Sequence, residues 1–175
     1  MADDIWILED QAIRVSFDTK GYTFFKGGKG MLNTPIERHL QLVAVKGDDK
    51  VVIPTIPDLK GRVVIKSPEE ALEFVRLFTA PETHYLFHDS RYIEPHLVSA
   101  TPSIVEYSDD YQKRMNLQPV ETGREDGAFT IHRNLVSPPR RLIRASERVD
   151  EDGGYSIVET EVIDEHSPVA YPIYQ

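Results

Sequence analysis

The chain has no cysteine among its 175 residues. That excludes a disulfide framework, a thiol nucleophile, and any zinc or iron–sulfur centre held by thiolates. It also fits a reducing compartment. Cations are in deficit: 20 Lys and Arg stand against 29 acids, a net charge of −9. Generic nucleic-acid binding needs the opposite balance, because phosphates are neutralised by an excess of basic groups. No stretch approaches the ~20 apolar residues of a membrane span. The start, MADDIWILED, carries acids where a secretory leader is basic, and its apolar run is only Ile5 to Leu8. A cytoplasmic protein without membrane or nucleic-acid partners is expected. Internal repeats, low-complexity tracts and linkers are also missing, so residues 1–175 read as one domain. The Pro- and Tyr-containing tail, 167–175, reads as an extended segment along the body or a frayed end.

Strand-like runs are what the chain does have. They fall at Ile5–Leu8, Ala12–Phe17, Gln41–Lys46, Val51–Thr55, Arg62–Lys66, Tyr85–His88, Ser103–Tyr107 and Phe129–Val136, with two more inside Arg140–Ile163. Polar turns such as Gly47-Asp48-Asp49-Lys50 and Glu125-Asp126-Gly127 join several of them, as in antiparallel meanders. The expected fold is α+β, mostly antiparallel β: about ten strands curled into a barrel or half-barrel. One main helix is expected over 68–79. Ser67 caps it, Pro68 opens it, Glu70 completes a capping box, and Ala71, Phe74, Val75 and Phe78 recur at helical spacing. A shorter helix is expected over Asp109–Met115, capped by Ser108, and one helical turn at Thr34-Pro35-Ile36-Glu37.

The segment Arg140–Ile163 is the firmest hairpin. Period two puts Arg141, Ile143, Ala145, Glu147 and Val149 on one face, and Arg140, Leu142, Arg144, Ser146 and Arg148 on the other. A two-residue turn at Asp152-Gly153 pairs Val149 with Ser156, Ile143 with Val162, Ala145 with Thr160, and Arg144 with Glu161. A four-residue loop, Asp150 to Gly153, puts Arg144 opposite Glu159 instead. The Ile143, Ala145, Thr160 and Val162 face should pack inward.

Among groups that carry chemistry, His84, His88 and His96 fall close together, beside Asp89 and Glu94. His84 and His88 would share a helical face and suit a metal. Tyr85-Leu86-Phe87 reads as strand, which separates them by about 13 Å, so no metal site is expected. The bland alternative is ordinary wall or surface histidines. The sharper one makes His88 or His96, with Asp89 or Glu94, a general acid–base set in a cavity. Lys26-Gly27-Gly28-Lys29-Gly30 is either a phosphate cradle or a soluble hairpin loop. It does not complete GxxxxGK[ST], and the loop is preferred.

Arg133, Arg140, Arg141, Arg144 and Arg148, with His132, form either an anion pocket or a solvated charge ladder. The glutamates across the hairpin favour the ladder. His132 and Arg133 lie on opposite faces of their strand, so only one points inward. His84, His132 and Arg133 are the candidate ligand contacts. No serine lies in GxSxG or a similar elbow, and the aromatic residues read as core or rim.

Together these features favour a non-enzymatic binding protein. It would take a small molecule in a barrel cavity or a protein partner on its acidic surface, without a cofactor. The alternative is a small cavity enzyme, a cyclase, isomerase or hydrolase, built on the histidine segment. An assembly subunit or homo-oligomer is a third possibility, if the tail crosses to another copy.

Overall fold

A computed structural model describes residues 4–30, 40–95 and 109–168. It is α+β, with two antiparallel four-stranded sheets and few helices. The first sheet is the meander β1 (Ile5–Ile13), β2 (Thr23–Lys29), β3 (Gln41–Lys46) and β4 (Asp49–Ile53). The second is β5 (Glu121–Glu125), β6 (Ala128–Ser137), β7 (Arg141–Val149) and β8 (Tyr155–Asp164). The expected barrel does not close. The described residues hold eight strands rather than ten.

The differences have local causes. Ile5–Leu8 and Ala12 belong to one strand, β1, whose pairing with β2 shifts between Ile7 and Ala12. Arg62–Lys66 contributes only an isolated bridge, Val64 to Asp18. Tyr85–His88 is not a strand: Thr83 and His84 donate to the Ala80 carbonyl and lead into a 3-10 turn, His84–Leu86. All but Gly30 of the glycine-rich run lies within β2, where Gly27 packs so closely that a Cβ would sit 2.3 Å from the Trp6 carbonyl oxygen. Ser103–Tyr107, the Thr34 turn, His96, Ser108 and the tail beyond Pro168 lie outside the described residues.

Two tight turns follow the expected chemistry, and the third hairpin departs from it. Asp126-Gly127, both at positive φ, closes β5 onto β6, and Gly47-Asp48 closes β3 onto β4. In the β7–β8 hairpin, Ile143 faces Val162, Arg144 faces Glu161 and Ala145 faces Thr160, as the two-residue-turn register requires. A shift between Ser146 and Glu147 then brings Val149 opposite Tyr155, so the loop is five residues long. Ile143 and Ala145 are buried as expected, and Glu147 and Val149 on the same face are buried too, but Thr160 and Val162 are exposed. β8 is an edge strand, and Val158 at its register shift is 69% exposed.

Helix α1 (Pro68–Arg76) starts where the capping residues place it, with Ser67 Oγ accepting from the Glu70 amide at 3.1 Å. It ends earlier than residue 79. The Leu77, Phe78 and Thr79 amides bond to the Phe74, Val75 and Arg76 carbonyls, three residues back, so the chain tightens before Pro81. Ala71, Phe74, Val75 and Phe78 are buried against both sheets, in one core with Phe24, Leu42, Phe129, Ile131 and Val149. Phe17, Phe74, Phe78, Phe87 and Tyr155 meet edge to face at 4.7–6.0 Å. Helix α2 (Asp109–Arg114) packs Tyr111 against Val136 and Leu142 on the opposite face of the second sheet.

The β7–β8 loop ties the two halves together. Gly61 donates to the Asp152 carbonyl at 2.7 Å and Ile65 to the Glu151 carbonyl at 2.9 Å. Gly153, at φ +85°, lies against Val63, where a Cβ would approach to 2.5 Å. No helix among the described residues is long and apolar enough to cross a membrane.

Candidate functional site

Arg133 points inward from β6 and is fully buried, which settles the choice between it and His132. Its guanidinium grips Glu147 with two bonds, Nε to Oε2 at 2.6 Å and Nη2 to Oε1 at 2.8 Å. Glu147 comes from the neighbouring strand β7, and it is 1% exposed. The remaining nitrogen of Arg133, Nη1, donates to Thr79 Oγ1 at 2.8 Å and to Glu94 Oε2 at 2.9 Å. Arg76, at the end of α1, holds the same Glu94 through Nε at 2.8 Å and Nη2 at 3.0 Å. Tyr155, which opens β8, donates its hydroxyl to Glu147 Oε1 at 2.7 Å.

The result is a chain of alternating charge, Arg76–Glu94–Arg133–Glu147, that ends on a phenol. Its position follows from the fold. Ile93 bridges to Val136 of β6, and the Glu94 amide donates to the Thr79 carbonyl, which brings Glu94 under Arg133. A buried charge costs several kcal/mol to desolvate, and only a fully bonded arrangement offsets it. Here every guanidinium nitrogen of Arg133 has an acceptor.

Burial pushes Glu94 upward, but its bonds to Arg76 and the charge of Arg133 outweigh this and hold it below the ordinary carboxylate value. Burial alone would lower Arg133; the bonds and charges of Glu147 and Glu94 raise it instead. Tyr155 is pushed well above its ordinary value by burial first and by Glu147 second, so it stays a neutral donor.

Beside this chain lies a cavity of about 300 Å³. Ile56, Pro57, Phe78, Tyr92, Tyr155 and Ile157 give it an apolar lining, while Thr79, Asp89, Ser90, Arg91 and Ser156 supply polar groups. It sits where the end of α1, the 89–92 segment and the start of β8 meet. Thr79 and Tyr155 belong to both the cavity wall and the charged chain.

The residues singled out by sequence are placed separately. His84 is buried with Nδ1 3.2 Å from the Pro81 carbonyl oxygen, and burial lowers its basicity. His88 is exposed, its Nε2 2.9 Å from Gln41 Nε2. Asp89 is exposed and accepts from the Ile56 amide at 3.0 Å, while Glu94 is held by two arginines. His132 is half-buried on the outer face, against Ser146 Oγ at 2.9 Å. Among the described residues no group of three or more His, Asp or Glu is placed to hold a metal ion.

The arginine ladder is resolved in the same way. Arg141 pairs with Glu165 and Arg148 with Asp150 at the surface, but Arg133 is at the centre of the buried network. Arg144 donates to the Gln118 and Pro119 carbonyls although it faces Glu161 in register.

Comparison of the chain with family models, curated proteins and solved structures gives no match. The fold brings no borrowed function.

Sequence reasoning missed Glu147, Tyr155, Arg76 and Thr79. Glu147 carried a usable signal, because it shares the inward face of β7 with Ile143, Ala145 and Val149, where a lone acid needs a buried cation. On the preceding strand His132 and Arg133 were both candidates, and only Arg133 carries a permanent charge to meet it. Arg76 and Thr79 come from the end of α1 and the turn after it, and Tyr155 from the start of β8; no local pattern joins them to Arg133.

Proposed function

We propose that this chain is a binding protein that takes a small, mainly apolar molecule into the cavity beside Tyr155. The observation that supports it is the pairing of an apolar cavity with a wall fixed by buried bonds. Rigid walls reduce the ordering that accompanies binding, and a volume near 300 Å³ is at the small end for ligand pockets. The charged chain serves as scaffold: it locks Thr79 and Tyr155 in place and leaves neither Glu94 nor Tyr155 suited to exchange protons near neutrality. A general acid–base role for Glu94 is accordingly disfavoured.

Ligand-observed NMR with a panel of small aromatic compounds tests this. A compound of about twelve non-hydrogen atoms should bind with a dissociation constant from tens of micromolar to about 1 mM. Ile157→Trp, which fills the cavity, should abolish that binding while leaving the circular dichroism spectrum unchanged. Binding that survives in a folded Ile157→Trp protein would remove the cavity from consideration.

A further inference from the structure

Two charged groups of opposite sign lie on the wall of the cavity, and neither is used up by the fold. Arg76, Arg124, Arg133, Arg141 and Arg148 each reach a carboxylate, whereas Arg91 forms no ion pair among the described residues. Arg14, Arg62, Arg114 and Arg140 likewise reach no carboxylate among the described residues, so what sets Arg91 apart is its place on the cavity wall beside Asp89. Asp89 is steered by the bond from the Ile56 amide to its Oδ1, which leaves Oδ2 for another donor. The two side chains do not pair with each other, although they are two positions apart and line the same cavity.

From this, and resting on the binding function proposed above, we infer that the cavity takes a free aromatic α-amino acid. Its carboxylate would meet Arg91, its ammonium group Asp89, and its ring the apolar surface of Phe78, Tyr155 and Ile157. The fork of a guanidinium matches a carboxylate through two parallel bonds, and an ammonium group donates directly to a carboxylate oxygen. The charges also argue against simpler ligands. A plain carboxylic acid that reaches Arg91 brings its negative charge toward Asp89, and a plain amine on Asp89 brings its positive charge toward Arg91. A zwitterion satisfies both. The volume sets the size, since about 300 Å³ holds a single amino acid but not a nucleotide-sized cofactor.

Isothermal titration with L-phenylalanine, 3-phenylpropanoate and 2-phenylethylamine separates the possibilities. L-Phenylalanine should bind at least tenfold more tightly than either singly charged analogue, because each lacks one charge-assisted contact. Arg91→Met should weaken L-phenylalanine at least tenfold and leave 2-phenylethylamine equal or tighter. Asp89→Asn, which keeps an acceptor for the Ile56 amide, should weaken L-phenylalanine and leave 3-phenylpropanoate equal or tighter. The wild-type ranking decides the matter even if a variant fails to fold. Equal binding of all three compounds, with loss of all three in Ile157→Trp, would overturn the amino-acid assignment while leaving the cavity reading intact. So would tighter binding of either analogue. If none of the three, nor neutral toluene, binds at about 10 mM, the assignment and the binding function fall together.

Discussion

Without the guanidinium of Arg133, Glu147 loses its only bidentate partner and Glu94 keeps Arg76 alone. Arg133→Met should therefore cost about 3–5 kcal/mol in urea unfolding, the range for stranding buried charge. Adding Glu147→Leu should restore part of the loss, so that the double variant is more stable than the sum of the singles implies. Two residues of the site also set a pH window. Glu94 is held below its ordinary value of 4.5, so its contribution is fully present above that pH and is lost as pH falls through the folded value. Glu94→Gln, less stable at neutrality, should lose less of its remaining stability between about pH 5 and about pH 3. Tyr155 has the opposite sign. The folded chain keeps a proton that the unfolded chain releases near 10.0, so stability declines as pH rises past that value. Tyr155→Phe should flatten this alkaline limb in urea midpoints measured across it. At this scale the sequence showed that only one of His132 and Arg133 could face inward. It could not show which, because that depends on Glu94, distant in sequence from Arg133.

Helix α1 delivers Thr79, Phe78 and Arg76 to the site, so its start governs the far end. Ser67→Ala removes the acceptor for the Glu70 amide and should lower stability by about 1 kcal/mol, read as a shift in the urea midpoint. The helix was legible because cap, proline and apolar spacing agree. Two hairpins were legible for a similar reason, since Asp126, Gly127 and Gly47 supply the positive φ that tight turns need. β2 was hidden by its own glycines. Gly27 looks like loop material, yet it is there because Trp6 and Val43 leave no room for a Cβ. Tyr85–Phe87 misled in the other direction, its aromatic residues suggesting a strand where Ala80 seeds a 3-10 turn.

Across the whole molecule, strand number and turn chemistry point to meanders but do not say how a meander ends. Closing a barrel requires the outer strands to find each other, and here β4 and β5 are separated by α1 and the segments around it. What joins the sheets is the shared aromatic core and the loop that carries Gly153. Gly153→Ala imposes a left-handed residue and a contact with Val63, and should cost about 2–4 kcal/mol. Because Phe74 and Phe78 lie in a core common to both sheets, fluorescence of Trp6 in the first sheet should shift together with far-ultraviolet circular dichroism. Separate midpoints would show instead that the sheets unfold independently.

The charged chain also bears on inheritance. A descendant that changes Glu94, Arg133 or Glu147 passes through a protein with an odd charge sealed inside, so drift at these positions is obstructed until a compensating change arrives. Arg76, Glu94, Arg133, Glu147 and Tyr155 should thus be kept or exchanged as a set. Their separations of 18, 39, 14 and 8 residues form a sparse signature, searchable in sequences whose overall resemblance has faded.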